Sequence, residues 1–397
     1  MLKTLLKTEN LTIIAIFLGI AFGYYFSNLA IDLKIIGDVY IALLKMLILP
    51  LIFASIFIAI VGLGSIEDLK DLGIKAFAYY ITTTSLAVGL GLIVVNIFNP
   101  GADMQMPLPT DSHITPKELN AHDFILSFIP SNIFHSLSEG QILPVIFFVI
   151  FFAVAALNLQ EKKRETLYNF FDSINDAMMV MAKWIIALTP IGVFSLIAFT
   201  VGKNGLKPLI ELYSYALTVL VALFIHATVT LNIIAFTIGK FNPFSYFAKI
   251  KEALLIALST ASSSATLPVS IEVAETKGGV DKKVAGFVLP LGATVNMDGT
   301  ALYESIAVLF IANISGVDLS FSQQLIIFLT ATFASIGAAG IPGAGLVMMT
   351  IILDSVGLPV EYISLIIAVD RFLDMFRTSI NVWGDLIGAK LLNRFIK

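Results

Sequence analysis

The stretch AVDRFLDMFRTSINVWGDLIGAKL, Ala368 to Leu391, decides how the chain is read. It lies in an apolar segment long enough to cross a bilayer, yet it carries Asp370, Arg371, Asp374, Arg377 and Asp385. On a helix turning about 100° per residue, Asp370, Asp374, Arg377, Thr378, Asn381 and Asp385 fall on one face. An ionised side chain at mid-membrane costs about 2.5–3.5 kcal/mol on insertion scales. A stripe of them persists only where it lines a site and finds counter-charges. The plainer account is a set of internal ion pairs between helices. Arg371 lies off the stripe and reads as an ion-pair partner.

Composition sets the class around this stretch. Hydrophobic residues make up 58% of the 397 and charged ones 13%, and several apolar runs approach or exceed the ~20 residues that span a bilayer. With no cysteine there is neither a disulfide framework nor a thiolate metal site. The four histidines (His113, His122, His135, His226) form no metal-ligand pair. The segment Met1 to Asn10 is short and polar, and the run after it lacks a small-residue cleavage site, so no cleavable signal peptide is expected. Nothing supports an enzyme: there is no nucleophile–base pair, no His/Asp/Glu ligand cluster and no Walker-type phosphate loop.

Apolar segments fall at about 11–30, 36–64, 73–98, 124–158, 167–201, 207–239, 253–273, 284–313, 322–353 and 358–392. Sorting the basic residues by loop puts Lys3, Lys7, Lys70, Lys75, Lys162, Lys163, Arg164, Lys240, Lys249, Lys251, Lys277, Lys282, Lys283, Lys390, Arg394 and Lys397 on one side. Lys34, Lys117, Lys203 and Lys207 fall on the other. Loops rich in Lys and Arg stay cytoplasmic, so both termini are expected inside and the acidic 99–123 loop outside. Lys45 and Lys183, within apolar segments, read as snorkelling or paired.

The sorting requires 253–273 to enter and leave on one side, because lysines flank both its ends. Its hydroxyl-rich centre, STASSSATLP (Ser259–Pro268), ends in a proline and suits a broken hairpin. The segment 322–353 is too long for one span and breaks at SIGAAGIPGAG (Ser335–Gly345), where four glycines and a proline interrupt any helix. Non-helical backbone at membrane depth is tolerated only where protein buries it or it lines a cavity. Two such hairpins of opposite orientation, each followed by a full helix, form the pattern of an inverted-repeat secondary transporter. The internal similarity is faint: ASSSA at 261–265 against ASIGA at 334–338. NMDGT (Asn296–Thr300) lies inside the apolar run 284–313. Read as helix, Asn296 and Thr300 share a face and Asp298 points away. Asn, Asp and Thr oxygens with free carbonyls are what a hard cation such as sodium requires.

These motifs together resemble the glutamate/aspartate:sodium symporter family, the dicarboxylate/amino acid:cation symporters. SSSATLP at 262–268, NMDGT at 296–300, ASIGAAGIPGAG at 334–345 and DRFLDMFRTSINVWGD at 370–385 carry the resemblance. YYITTT at 79–84 and KMLILP at 45–50 extend it over essentially the whole chain. It implies an all-α polytopic membrane protein of eight transmembrane helices and two re-entrant hairpins, assembled as a homotrimer. The implied scaffold is 1–72 (helices 1–2) and 101–205 (helices 4–5). The implied transport domain is helix 3 at 73–100 and 206–397: helix 6, hairpin 1 at about 250–276, helix 7 at about 282–313, hairpin 2 at about 320–354 and helix 8 at about 358–394. In the family the transport part moves as an elevator, with tip 1 (259–268) gating the inside and tip 2 (335–345) the outside.

By position, the resemblance assigns the substrate to Ser262, Ser263, Ser264, Thr300, Asp374, Arg377, Thr378 and Asn381, with Ser263 foremost, and to tip backbone including Ile341 and Gly345. One sodium site would use Asp385, Asn381 and carbonyls near Gly292 and Asn296. A second would use Thr294 with carbonyls of Ser335, Ile336 and Ala338, and a third Tyr80, Thr83, Thr84, Asn296 and Asp298. The chemistry agrees: Asp374 can neutralise an α-ammonium, Arg377 can take a carboxylate through a bidentate fork, and helix N-termini suit a second carboxylate.

Relatives that carry C4 dicarboxylates lack the carboxylate at the position of Asp374, and those for neutral amino acids lack the arginine at Arg377. This chain has both, so sodium-driven L-aspartate or L-glutamate uptake across the cell membrane is expected, with no cofactor besides the coupling ion. A proton-coupled glutamate/C4-dicarboxylate symporter and an anion channel are the alternatives. Family members carry a helper arginine either before the serine triplet or after the position of Asp374; here those places hold Ala261 and Met375. Glu304 matches a position that the resemblance links to proton coupling, and proton co-transport is a further expectation.

Overall fold

The computed structural model describes residues 8–62, 70–102, 129–139, 142–337 and 344–395. Among them regular structure is helical, with no strand. The first helices are α1 (Thr8–Tyr25), α2 (Ser27–Asp32), α3 (Lys34–Gly62), α4 (Lys70–Phe98), α5 (Ile133–Ser138) and α6 (Ile142–Leu157). Then come α7 (Glu161–Ala187), α8 (Thr189–Asn204), α9 (Lys207–Ile225) and α10 (Leu231–Ile234), with π turns at His226–Thr230 and Ala235–Gly239 on either side of α10. The remainder is α11 (Pro243–Thr260), α12 (Ser263–Thr276), α13 (Lys282–Val295), α14 (Asp298–Ile314), α15 (Phe321–Ala334), α16 (Ala344–Ser355) and α17 (Ile363–Leu392).

Local chemistry fixes the boundaries. Asn242 caps α11 by accepting from the N–H groups of Phe244 and Ser245, and Pro243 follows where a missing N–H costs nothing. Asp281 caps α13 through the Lys283 N–H. Ser320 and Gln323 close a reciprocal capping box on α15. The expected single segment at 167–201 is two helices, broken at Leu188 where Pro190 starts α8. That proline lacks the N–H a continuous helix would need.

α11 and α12 form a helical hairpin whose turn falls within 259–268, and Pro268 sits inside α12. The chain turns at Ala261, in the left-handed region at φ +49°, and Ser262 then caps α12 through the Ala265 N–H. Glu252 on α11 meets Lys277 just past α12 at 2.6 Å, so both ends of the hairpin lie together, as the lysine sorting required. Lys390 donates to the carbonyls of Gly278 and Gly279 at the same end, and Arg394 donates to that of Ile238. Lys34 and Lys203, sorted to the opposite side, both approach the Phe199 ring, at 5.8 and 5.6 Å. The side chains of Lys45 and Lys183 lie outside the described residues.

Two packing groups position the site. α1 lies along α8, and α3 packs on α6, α7 and α8. Close approach of α1 to α8 depends on Gly19, where a β-carbon would stand 2.9 Å from the Phe194 carbonyl oxygen, and on Gly23 one turn on. In the second group α17 packs against α9, α11, α12, α13 and α14, and α14 against α4, α15 and α16. Among the described residues three helical stretches are long and apolar enough to cross a membrane, by length and composition: Asp71–Phe98, Leu212–Gly239 and Lys282–Ile314. The last is almost wholly buried, so its apolarity serves the interior.

Candidate functional site

The polar face of α17 is interior throughout: Asp370, Asp374, Arg377, Thr378, Asn381 and Asp385 are all buried, Arg377 completely. Arg377 Nη2 lies 3.1 Å from Asp370 Oδ1 and 2.9 Å from Asp374 Oδ1. Its guanidinium carbon stands 3.8 Å over the Tyr303 ring, and Tyr303 donates its hydroxyl proton to Asp370 Oδ1 at 2.7 Å. Both carboxylates approach a single nitrogen, and none of Nε, Nη1 and Nη2 makes a well-formed hydrogen bond among the described residues. The guanidinium is thus held by charge and by a ring face, while Nε and Nη1 have no hydrogen-bond partner among the described residues. Arg371 is the ion-pair partner expected, 4.0 Å from Asp374 Oδ2.

Thr300, Thr378 and Asn381 gather beside this pair. Asn381 Nδ2 donates to Thr300 Oγ1 at 3.2 Å, and Asn381 Oδ1 accepts from the Gly299 N–H at 2.7 Å. Thr378 Oγ1 lies 3.5 Å from Asp374 Oδ1. A β-carbon at Gly345 would stand 3.0 Å from Arg377 Nη1 and 3.2 Å from Thr300 Cγ2, so the first turn of α16 lies directly against the guanidinium. In the first hairpin Ser262 and Ser263 are buried and Ser264 is exposed, and α12 packs on α17. Ile341 and Ala338 lie outside the described residues.

A second polar cluster surrounds Asp298. Thr84 donates to Asp298 Oδ1 at 2.7 Å, and His226 Nε2 lies 3.2 Å from Asp298 Oδ2. The Thr83 hydroxyl lies within 3.3 Å of three oxygens: the Tyr80 carbonyl, Asn296 Oδ1 and Asp298 Oδ1. One proton serves one of them, so the group holds more acceptors than donors, which is the surroundings of a hard cation. The expectation that Asp298 points away from Asn296 is corrected here. Asn296 and Met297 are not helical; α13 ends at Val295 and α14 begins at Asp298, so both side chains reach Thr83.

Asp385 Oδ1 accepts from Asn296 Nδ2 at 2.9 Å. A β-carbon at Gly292 would overlap that carboxylate and stand 2.7 Å from Tyr80 Oη, so only glycine lets α13 come this close. Tyr80 itself donates to the Val288 carbonyl at 2.8 Å. The Thr294 set is not drawn together by side chains. Thr294 is exposed and turns its hydroxyl back to the Leu291 carbonyl at 2.9 Å, while Ser335 donates to Thr332 at 2.8 Å. α13 does pack against the Ser335–Gly337 turn, which includes buried Ile336. Glu304, one turn past Thr300, is fully buried, and neither carboxylate oxygen has a hydrogen-bond partner among the described residues.

Sequence reading missed His226 and the way Asp370 and Tyr303 pin Arg377. A histidine inside an apolar run was the available signal, because intramembrane ionisable residues are functional by default.

The model of the sodium:dicarboxylate symporter family matches residues 10–395. The chain belongs to that family. It is similar to the excitatory amino acid transporter 1 of Ambystoma tigrinum, 36% identical over 96% of this chain and 81% of that protein. It is likewise similar to the proton/sodium-glutamate symport protein of Bacillus caldotenax, 35% identical over 96% of this chain and 93% of that protein. The C4-dicarboxylate transport protein of Bacillus subtilis (strain 168) is 35% identical over 98% of this chain and 94% of its own length. This member of the family is a membrane-embedded transporter and not an enzyme.

Proposed function

We propose that this symporter carries L-aspartate or L-glutamate into the cell coupled to sodium. The observation that carries the reading is Asp374 and Arg377 on one buried face, three residues apart, with Nε and Nη1 of the arginine unpaired among the described residues. The substrate ammonium would pair with Asp374, next to Thr378 and Asn381. Its side-chain carboxylate would lie in the Arg377 fork, which Asp370 and Tyr303 hold flat. Its α-carboxylate would take backbone N–H groups at Ser262–Ser264 and at the start of α16 near Gly345. Sodium would occupy the oxygen cluster of Tyr80, Thr83, Thr84, Asn296 and Asp298, and a neighbouring set at Asp385, Asn381 and Gly292. The third set, Thr294 with Ser335, Ile336 and Ala338, would form only when Thr294 turns toward the Ser335–Gly337 backbone.

In this reading residues 1–72 and 101–205 form a scaffold of a homotrimer in the cell membrane, with both termini cytoplasmic. Residues 73–100 and 206–397 move past it as an elevator. Glu304 would carry a proton alongside sodium. The relative named for C4 dicarboxylates raises the second reading. Asp374 counts against it, because a dicarboxylate with no ammonium would bring two negative charges to a third.

The test is uptake of labelled L-aspartate by proteoliposomes under an inward sodium gradient, competed by L-glutamate, succinate and L-alanine. Competition by glutamate alone supports the proposal. Competition by succinate as strong as by glutamate removes the role given to Asp374.

A further inference from the structure

A cavity of about 280 Å³ opens between the π-turned helix at 226–239, the first arm of hairpin 1 and α17, away from the polar cluster. Its walls include Thr228, Asn232, Phe244, Phe247, Ser379 and Trp383. No charged side chain lines it. Phe244 and Phe247 at its rim are 64% and 48% exposed, and Ile233 beside Asn232 is 55% exposed, so the mouth is apolar. Most polar groups in the wall are already committed. Trp383 Nε1 donates to the Ala227 carbonyl, Thr228 to Phe224, and Ser379 to Leu254. Asn232 is the exception: it is 7% exposed, and its Oδ1 has no partner among the described residues. A buried amide oxygen left unpaired is unfavourable, and native proteins retain such groups where something else supplies the donor. Asn232 also sits in the one short α turn between two π turns, the kind of distortion found at functional sites.

We infer that this cavity is an intramembrane binding site for a neutral single-chain lipid, whose terminal hydroxyl pairs with Asn232 and whose chain lies against Phe247 and Trp383. The chemistry of the walls selects the class. The absence of a counter-charge in the wall excludes an ionised headgroup. A hydroxyl both donates and accepts, so it satisfies the Asn232 amide in either orientation. The volume lies just under the range of drug-sized pockets, about 300–1,000 Å³, and admits one chain rather than two. Ser379 and Ile380 in the wall flank Thr378 and Asn381, so an occupant would brace hairpin 1 against the helix that carries Arg377.

The chain has two tryptophans, and Trp184→Phe leaves Trp383 in the cavity wall as the only one. The experiment titrates this full-length protein in bilayers with bromohexanol, brominated at the end remote from the hydroxyl, and with bromohexane, following Trp383 quenching at matched membrane mole fractions. The result expected is saturable quenching by the alcohol at a roughly tenfold lower mole fraction than by the alkane, the factor one hydrogen bond supplies in an apolar site. Asn232→Leu should make the two titrations coincide. Equal, non-saturating quenching by both probes overturns the proposal, and so does an alcohol preference that survives Asn232→Leu. If that variant does not fold, the comparison of the two probes on the Asn232 protein decides alone.

Discussion

Arg377 is a fully buried cation held by two aspartates through one nitrogen and by a tyrosine face. Such an arrangement fixes where the guanidinium lies and engages only one of its three nitrogens among the described residues. Replacing it removes a charge-assisted contact of about 1.5–3 kcal/mol, so Arg377→Cys should weaken competition by L-glutamate roughly 10- to 150-fold. The same variant should let neutral amino acids compete. Retained acidic selectivity in the competition assay would count against the assignment. Thr84→Val and His226→Leu each remove a donor from Asp298. Both should raise the sodium concentration for half-maximal uptake several-fold, with a smaller effect on the L-aspartate concentration at saturating sodium. Glu304→Gln should abolish acidification of the lumen during substrate-driven uptake, and unchanged acidification would remove Glu304 from proton coupling. The stripe on α17 was legible because a regular helix turns spacing directly into a face. The pairing of His226 was not, because its partner Asp298 lies 72 residues away and nothing local links them.

At the scale of elements, the breaks in helices do the positioning. Asn296 and Met297 leave the helical path, and that brings Asn296 and Asp298 to one threonine. A reader of the sequence sees an apolar run there and continues the helix through it, so the relative directions of these side chains come out wrong. The Leu188 break was signalled by Pro190, yet the apolar run around it masked the stop. The hairpin at Ala261 was legible through its flanking lysines, whereas its turning residue was not, since alanine rarely adopts φ +49°. Ala261→Val should destabilise the hairpin by about 1–2 kcal/mol, because a β-branched residue is strained there. A lower melting temperature with sodium and aspartate affinities intact would place the strain in the scaffold of the tip alone. Gly23→Val should lower the melting temperature by overpacking α1 against α8, at a cost of about 1–3 kcal/mol, without altering substrate selectivity.

At the scale of the whole molecule, the buried charges and oxygens converge on α17, α14 and the turn between α13 and α14, while the first turn of α16 reaches Arg377. In the proposed reading that convergence would link cation and substrate: Asn381 bonds Thr300 and the Gly299 N–H, and Gly299 is next to Asp298. A cation at Asp298 and an amino acid at Asp374 and Arg377 would then be separated by one short run of backbone. The most direct test is accumulation of labelled L-aspartate in proteoliposomes, with and without an inward sodium gradient, for the native chain and for Asp298→Asn. The account predicts concentrative uptake that needs the gradient and is lost in the variant. Full accumulation under a proton gradient alone, or gradient-dependent uptake undiminished in Asp298→Asn, would contradict it.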